Sequence, residues 1–169
     1  KISFTQKSGQ VLAILGENGA GKTTLMNILF GHYKCDEGEI FFHGSKLPTG
    51  KPGIAIKAGI GMVHQHFTLA ENLTVLENII IGEKSLLSLS LPQKSARAKL
   101  QELSEKFGLP IDPDTLVANL SVSEKQRLEI LKTLYRDCKL LILDEPTAAL
   151  TPQETESLFS TIKQMVKEG

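Results

Sequence analysis

The residues best suited to chemistry form one eight-residue stretch, Gly16–Thr23, with the sequence GENGAGKT. It fits the pattern G-x-x-x-x-G-K-[ST], follows a short apolar run and precedes a segment of helical character. Glycines let backbone N–H groups curl around phosphate oxygens, and the N-terminus of the following helix adds partial positive charge. Lys22 can reach β- and γ-phosphates, and the Thr23 hydroxyl can coordinate Mg²⁺. The alternative is a glycine-rich turn with an incidental lysine, but chance gives this pattern in such a chain on the order of 1% of the time.

A pair of acidic residues, Asp144 and Glu145, follows the apolar run Leu140–Leu143. An aspartate at the carboxyl end of a buried strand beside a phosphate loop is placed to hold Mg²⁺, directly or through water. Glu145 is then placed to orient or deprotonate an attacking water. The alternative is an acidic N-cap that starts a helix at Pro146. Taken alone the two interpretations are near even, and the phosphate loop favours the catalytic one.

Composition limits the class of protein. The chain has 169 residues, 41% of them hydrophobic, and 19 basic against 19 acidic side chains, so its net charge is zero. These values are typical of one globular domain and exclude a disordered chain. The neutral balance argues against a nucleic-acid partner. The cysteines Cys35 and Cys138 lack metal-site spacing and are expected to be reduced. Lys1 is not an initiator methionine and a helical pattern stops at Gly169, so we expect a fragment, truncated at both ends.

Short apolar runs predict the strands that position these residues. Val11–Leu15, Ile60–Val63 and Leu140–Leu143 are expected to be buried strands, and Ile2–Phe4 the tail of another. Residues 39–42, with the turn that follows them, predict a small β-ribbon. Strands that alternate with helices at this spacing indicate an α/β fold with a mainly parallel sheet.

The predicted helices lie between these strands. Lys22–Phe30 is expected to be rich in buried positions, Thr74 to cap a helix with Glu77 as its capping-box partner, and Ser121 or Ser123 to cap another. Two further helices are expected near 55–58 and over 93–107, the latter with an apolar stripe at Ala96, Leu100, Leu103 and Phe107. The helices around 70–120 interrupt the sheet as an insertion.

The motifs together resemble those of a known family. GENGAGKTT (16–24), LSVSEKQR (120–127) and LLILDEPT (140–147) look like the Walker A, signature and Walker B motifs of ABC-transporter ATPase domains. Gln65, in GMVHQHF (61–67), falls at the position of the Q-loop glutamine. The stretches 61–67, 73–79 and 146–154 are similar to ATPases of bacterial nucleoside and simple-sugar importers, where two ATPase domains are usually fused in tandem. The chain resembles the amino-terminal half of such a protein over nearly its whole length.

This resemblance implies a fold and a function. The fold is an α/β P-loop NTPase with a RecA-like core, a small β-ribbon region and a helical subdomain at about 70–120, within one ABC ATPase domain over 1–169. The function is ATP hydrolysis that drives import of nucleosides or simple sugars across the bacterial inner membrane. The implied partners are transmembrane permease subunits, a second ATPase domain bound head-to-tail and, indirectly, a solute-binding protein. The implied location is peripheral, on the cytoplasmic face of that membrane.

The resemblance also assigns roles to residues. Glu145 would be the catalytic carboxylate, assisted by Gln65 and Lys22, and Gln65 would also couple the site to the membrane subunits. Mg²⁺ would be held by Thr23, Gln65 and Asp144. The residues assigned to ATP are Gly16, Asn18, Gly19, Gly21, Lys22, Thr23, Thr24, Ser121 and Ser123, the two serines contacting ATP held by the opposite domain.

The sequence departs from the family pattern in its signature. Val122, Ser123 and Glu124 replace Gly-Gly-Gln, and a glycine at position 123 would let the backbone approach phosphate without a Cβ. Two alternatives therefore accompany the importer hypothesis: a nucleotide-gated ABC module with little turnover, and a soluble ABC ATPase. Thr151 also stands where the family has a D-loop aspartate. The four histidines, His32, His43, His64 and His66, all precede the Walker B motif, so none is the family's switch histidine.

Overall fold

The computed structural model describes residues 2–81 and 93–168. Those ranges contain six α-helices and four short strands. In chain order these are α1 (Lys22–Phe30), β1 (Ile40–Phe42), β2 (Ser45–Leu47), α2 (Pro52–Ala58), β3 (Ile60–Val63), α3 (Val75–Ile80), α4 (Gln93–Phe107), α5 (Val122–Tyr135), β4 (Leu140–Leu143) and α6 (Pro152–Glu168), with a 3₁₀ turn at Val117–Asn119.

Strands β3 and β4 form a parallel pair at the centre of the fold. Both strands occupy the apolar runs that predict them, and in the pair Ile60 aligns with Leu140 and Val63 with Leu143. The Asp144 amide donates to the Val63 carbonyl at 3.1 Å, which extends the ladder by one bond. Because carboxyl ends of parallel strands lie at the same edge of a sheet, the residues after Val63 and after Leu143 are brought together.

The predicted β-ribbon is confirmed. Strands β1 and β2 pair antiparallel, with Phe42 opposite Ser45. The two residues between them, His43 and Gly44, have φ of 48° and 77°. Positive φ at both central positions is typical of the tight hairpin turn that matches the twist of the strands.

Two apolar clusters cover opposite faces of the parallel pair. Ile60, Met62 and Ile142 pack with Phe30 of α1 and Ala55 of α2. Val63, by contrast, joins the larger cluster built on α3, α4, α5 and α6. This alternation follows from the two-residue period of a strand.

Gly61 explains how α5 packs so closely on this sheet. A Cβ built at Gly61 would lie 2.0 Å from Cγ2 of Thr133 and 3.0 Å from Sγ of Cys138. Only glycine fits where a helix approaches the strand backbone at this distance. The close approach brings the polar side chains of α5 next to the segment that follows β3.

The predicted helix boundaries at α3, α4 and α5 are confirmed. Thr74 and Glu77 form the expected capping box at α3, and Ser121, rather than Ser123, is the N-cap of α5. Helix α4 spans the expected residues, and three of its four stripe positions, Ala96, Leu100 and Phe107, are buried.

The predictions for the first part of the chain are wrong in three respects. Ile2–Phe4 and Val11–Leu15 form no strand, and the Leu15 side chain is 90% exposed. A strand needs neighbours for its backbone hydrogen bonds, and within the described ranges β3 and β4 pair only with each other. Helix α1 buries Phe30 alone, while Met26 and Leu29 are only partly buried against the same cluster.

Candidate functional site

The phosphate loop, Gly16–Thr23, is an exposed turn that leads into α1. Gly19 and Gly21 have φ of 82° and 91°, a left-handed conformation that side chains disfavour. A Cβ at either position would meet no atom within 4 Å, so the backbone conformation, rather than space, requires glycine there. Gly21 is the N-cap of α1, and no side chain caps this helix. Its first N–H groups are therefore open to an anion.

Lys22 lies over this loop. Its Nζ donates to the carbonyl oxygens of Gly16 at 2.7 Å and Glu17 at 2.9 Å. The ammonium group is thus fixed beside the loop backbone that would surround a phosphate. Gly16, Asn18 and Thr24, which the resemblance also assigns to ATP, are exposed on the same stretch.

Thr23 and Asp144 come together although they lie 121 positions apart in sequence. The Thr23 hydroxyl donates to Oδ1 of Asp144 at 3.2 Å. Asp144 is only 6% exposed, because it continues β4 at the sheet edge beside the phosphate loop. A hydroxyl and a carboxylate are thereby paired at one edge of the sheet, beside the phosphate loop.

Gln65 and Glu145 form a second pair at this edge. Nε2 of Gln65, just after β3, donates to Oε2 of Glu145 at 3.0 Å. Glu145 has φ of 49°, an unusual conformation for a non-glycine residue, which turns the chain sharply after β4. Nε2 of Gln126 donates to the Pro146 carbonyl at 2.5 Å and holds this turn against α5.

The alternative role of Glu145 as a helix cap is wrong. Helix α6 begins at Pro152, six residues later than a helix starting at Pro146 would. Its cap is Thr151, whose amide and hydroxyl donate to Oε2 of Glu154 at 2.8 and 2.9 Å. The Glu145 carboxylate is therefore free of a capping role and faces Gln65.

The signature serines lie in a different network. Ser121 caps α5, with its amide and hydroxyl donating to Oε2 of Glu124 at 2.8 and 2.7 Å. Oγ of Ser123 is 3.3 Å from Oγ of Ser121. The Ser121 hydroxyl, and then its amide, hold the pKa of Glu124 below the ordinary range. The Thr151 amide, and after it the Ser123 side chain, do the same for the pKa of Glu154. Within the described ranges, neither serine bonds the phosphate loop.

Sequence reasoning missed the polar contacts between α5 and the segment after β3. Glu129, only 4% exposed, accepts from the Thr68 amide at 2.6 Å and from its hydroxyl at 2.9 Å. Nζ of Lys132 donates to the Thr68 carbonyl at 3.1 Å. Burial lowers the pKa of Lys132, partly offset by Glu129. The only sign of these contacts in the sequence is that two opposite charges, Glu129 and Lys132, lie three residues apart among apolar residues of the helix.

The histidines lie outside the two bonded pairs, Thr23–Asp144 and Gln65–Glu145. His64 stacks on His32, with ring centroids 5.4 Å apart, and Nδ1 of His32 lies 2.9 Å from Oδ1 of Asn27. Burial, and then the neighbouring His32, lower the pKa of His64. The sequence favours a solvated or hydrogen-bonded side chain for each histidine, and the contact of His32 with Asn27 agrees with this expectation, whereas the stacking of His32 on His64 was not predicted.

Residues 2–81 and 93–168 contain neither a membrane-spanning helix nor a self-sufficient metal cluster. No helix there is long and apolar enough to cross a membrane. No group of three or more His, Cys, Asp or Glu side chains there could hold a metal ion by itself.

Comparison with known proteins gives relatives of one kind. The nucleoside import ATP-binding protein NupA of Lactococcus lactis subsp. cremoris is 49% identical over 169 residues, which is 100% of this chain and 33% of that protein. The guanosine import ATP-binding protein NupO of Bacillus subtilis is 49% identical over 168 residues, 99% of this chain and 33% of that protein. The ribose import ATP-binding protein RbsA of Clostridium perfringens is 43% identical, over 99% of this chain and 34% of that protein. The chain thus spans about a third of the length of the curated relatives it matches.

Solved structures of ATP-binding cassettes from ABC transporters are also similar to this chain. MJ1267, an ATP-binding cassette of an ABC transporter, superposes with a TM-score of 0.87 at 28% identity, over 99% of this chain and 70% of that one. Its ADP conformation gives 0.83 at 28% identity, over 96% and 68%. The fold is therefore the P-loop α/β fold of these cassettes. A family model described as ABC transporter matches residues 1–148. The chain belongs to the ABC transporter family, as its motifs indicate.

Proposed function

We propose that this chain binds ATP and hydrolyses its γ-phosphate as the ATPase domain of a solute importer. One observation carries the proposal: the bonds Thr23–Asp144 and Gln65–Glu145 join the phosphate loop, the segment after β3 and the end of β4 at one sheet edge. Ligands in open α/β sheets bind at the carboxyl ends of the strands. A triphosphate at this edge would meet a cation, open N–H groups and two carboxylates.

The binding step rests on the phosphate loop. The uncapped N-terminus of α1 offers N–H donors and partial positive charge to the phosphates. Lys22, which donates to the carbonyls of Gly16 and Glu17, would transfer its bonds to phosphate oxygens. The chain would then hold the polyanion mainly through backbone groups and one ammonium.

The oxygen ligands also fit Mg²⁺. The hydroxyl of Thr23 and the carboxylate of Asp144 lie 3.2 Å apart, and the Gln65 side-chain oxygen would complete the set. Mg²⁺ in such sites takes one or two protein ligands in addition to phosphate oxygens and waters, so no larger cluster is required. When bound, the ion would neutralise charge that develops on the transferred phosphoryl group.

The hydrolytic step rests on Glu145. A water held by its carboxylate would attack the γ-phosphorus, the bond to the bridging oxygen of ADP would break, and the proton would pass to Glu145. Gln65, bonded to the same carboxylate at 3.0 Å, would orient it. Each of the two residues is exposed, so a substrate water has access.

The importer role is supported by the relatives, which import nucleosides, guanosine and ribose. We expect the solute to be a nucleoside or a simple sugar, and the partners to be permease subunits, a second ATPase domain bound head-to-tail and, indirectly, a solute-binding protein. The location would be peripheral, on the cytoplasmic face of the inner membrane. Residues at about 70–120, which include α3 and α4, would form the helical subdomain.

The test is ATP hydrolysis by the intact protein reconstituted with its permease in lipid vesicles. We expect Mg²⁺-dependent phosphate release that the cognate solute and its binding protein stimulate. Absence of nucleotide binding by calorimetry would contradict the proposal at its first step, and hydrolysis that no permease stimulates would contradict the importer role.

A second candidate, a nucleotide-gated module with little turnover, is supported by the signature network. The Ser121 hydroxyl donates to Glu124 and lies 3.3 Å from the Ser123 hydroxyl, so both hydroxyls already have a partner within the chain. Steady-state hydrolysis separates the two candidates: tight ATP binding with negligible phosphate release by the reconstituted protein would favour the second.

A further inference from the structure

We propose that Glu129 and Lys132 of α5 are positioning residues that fix Gln65 by holding Thr68, a device we name the Thr68 clamp. The inference deepens the proposed function and rests on it, because Gln65 acts there beside Glu145. The clamp is a pair of charged side chains one helical turn apart, joined to a single residue of the segment after β3.

The bonds of the clamp engage every polar group of Thr68. Its amide and hydroxyl donate to the same carboxylate oxygen of Glu129 at 2.6 and 2.9 Å, and its carbonyl accepts from Nζ of Lys132 at 3.1 Å. Nζ of Lys132 lies 4.0 Å from the second oxygen of Glu129, so the two charges compensate each other. Bonds to ionised groups are about twice as strong as neutral ones, so the clamp is a strong local restraint.

Apolar packing does not hold the same segment. All four residues from Gln65 to Thr68 are exposed, and the chain packs against the core again only at Leu69. A cavity of about 140 Å³, lined in part by His64, Thr68, Glu129 and Lys132, lies beside the clamp. The position of Gln65 therefore depends on bonds at the two ends of the segment: its own bond to Glu145 and the clamp at Thr68.

The clamp also connects two parts of the site. The N-cap of helix α5 is the signature residue Ser121. The same helix bonds the turn after Glu145 through Gln126, and it bonds Thr68 through Glu129 and Lys132. A displacement of α5 would thus shift the relative positions of Gln65 and Glu145. The clamp also explains why a buried carboxylate, Glu129, and a half-buried ammonium, Lys132, lie among apolar residues of α5, where burial of a charge is costly unless it is paired.

The test uses Glu129→Gln in the intact protein, with Glu71→Gln as the matched control. Glu71 also bonds α5, through Lys125 at 2.7 Å, but on an exposed surface further along the chain. For Glu129→Gln we expect amide exchange at Thr68 in the nucleotide-free protein to accelerate about tenfold, because a charged acceptor becomes a neutral one. Exchange in α5 should be unchanged. We expect kcat for ATP to fall about tenfold or more with KM nearly constant, as for a misplaced catalytic group. Glu71→Gln should change none of these quantities.

A milder variant separates the clamp from general stability. Thr68→Val keeps the shape and the amide but removes the hydroxyl bond, and we expect a smaller fall in kcat. In that background Glu129→Gln should have a reduced effect, because the two residues act through one contact. Unchanged exchange at Thr68, or equal effects of Glu129→Gln with and without Thr68→Val, would overturn the clamp. The exchange measurement needs no ATP, so it decides the clamp separately from failure of the proposed ATPase activity.

Discussion

Two helix N-termini in this chain are expected to face phosphate groups, and they are built in opposite ways. Helix α1 begins at Gly21 with no side-chain cap, so its first N–H groups are open. Helix α5 begins at Ser121 with a complete capping box, in which Ser121 and Glu124 satisfy each other's amides. Helices α3 and α6 have the same arrangement, through Thr74 with Glu77 and Thr151 with Glu154.

The difference shows which helix N-terminus still has free N–H groups with which to bind a phosphate. An uncapped helix start is less stable by itself, and a ligand that satisfies it recovers that free energy on binding. A capping box satisfies the donors within the chain and places a carboxylate at the positive end of the helix. We therefore expect the α1 end to dominate phosphate affinity and the α5 end to contribute little, and four substitutions test this.

The largest effect is expected at the open end. Lys22→Ala should raise the Kd for ATP about a hundredfold or more, because at least two charge-assisted bonds are lost. Binding at physiological nucleotide concentrations should thereby be abolished. Titration calorimetry on the intact protein measures this directly, with Lys34→Ala, a lysine outside the loop, as the control. Near-normal affinity of the Lys22 variant would show that the loop is not the phosphate site.

The second-largest effect is expected at Glu145, at the same sheet edge, and it concerns hydrolysis rather than ATP binding. Glu145→Gln should keep ATP affinity but slow hydrolysis roughly 10²–10⁴-fold, because the amide keeps the shape and cannot accept the proton. Single-turnover phosphate release at this site gives the rate. The acid at position 145 would have no catalytic part if turnover stayed at the wild-type rate.

A cap remote from the phosphates provides the comparison in stability. Thr74→Ala should lower the free energy of unfolding by about 1 kcal/mol, the typical loss when a helix cap is removed. Denaturant unfolding checks the value. Thr74→Ser, which keeps the hydroxyl, should leave the free energy of unfolding nearly unchanged. ATP affinity should not change in either variant. A changed affinity would mean that caps and nucleotide site are coupled, contrary to the comparison.

The capped helices were predictable from sequence because their signals are local. A threonine or serine followed three residues later by glutamate, at the head of an apolar stripe, specifies α3 and α5 without knowledge of the rest of the chain. The phosphate loop and the acidic pair were predictable for the same reason. The contact between the two motifs, from Thr23 to Asp144, then follows because both motifs lie at the carboxyl edge of a parallel sheet.

What could not be predicted depends on contacts distant in sequence. Val11–Leu15 has the composition of a buried strand, yet burial depends on a partner strand that local sequence does not name. The Thr68 clamp joins residues 61 positions apart, and Glu129 sits between the buried residues Leu128 and Ile130, where periodicity gives no signal for a charge. Such contacts arise from the approach of α5 to Gly61, which only the tertiary structure reveals.

The smallest and most discriminating effect concerns Ser123. In the head-to-tail arrangement that we propose, ATP on Lys22 is completed by the partner's signature, whereas Ser121–Glu124 completes the partner's ATP. Ser123→Gly removes a hydroxyl that lies 3.3 Å from that of Ser121 and helps to lower the pKa of Glu154. It also lets the backbone approach phosphate without a Cβ. We expect hydrolysis at the partner's site to rise or stay the same, with unchanged nucleotide affinity at Lys22. Site-specific trapping of nucleotide in the intact protein distinguishes the sites. Because the hydroxyl already has partners within the chain, a fall in turnover at the partner's site would show that it leaves them to bind phosphate, and the α5 end would then be an active phosphate ligand.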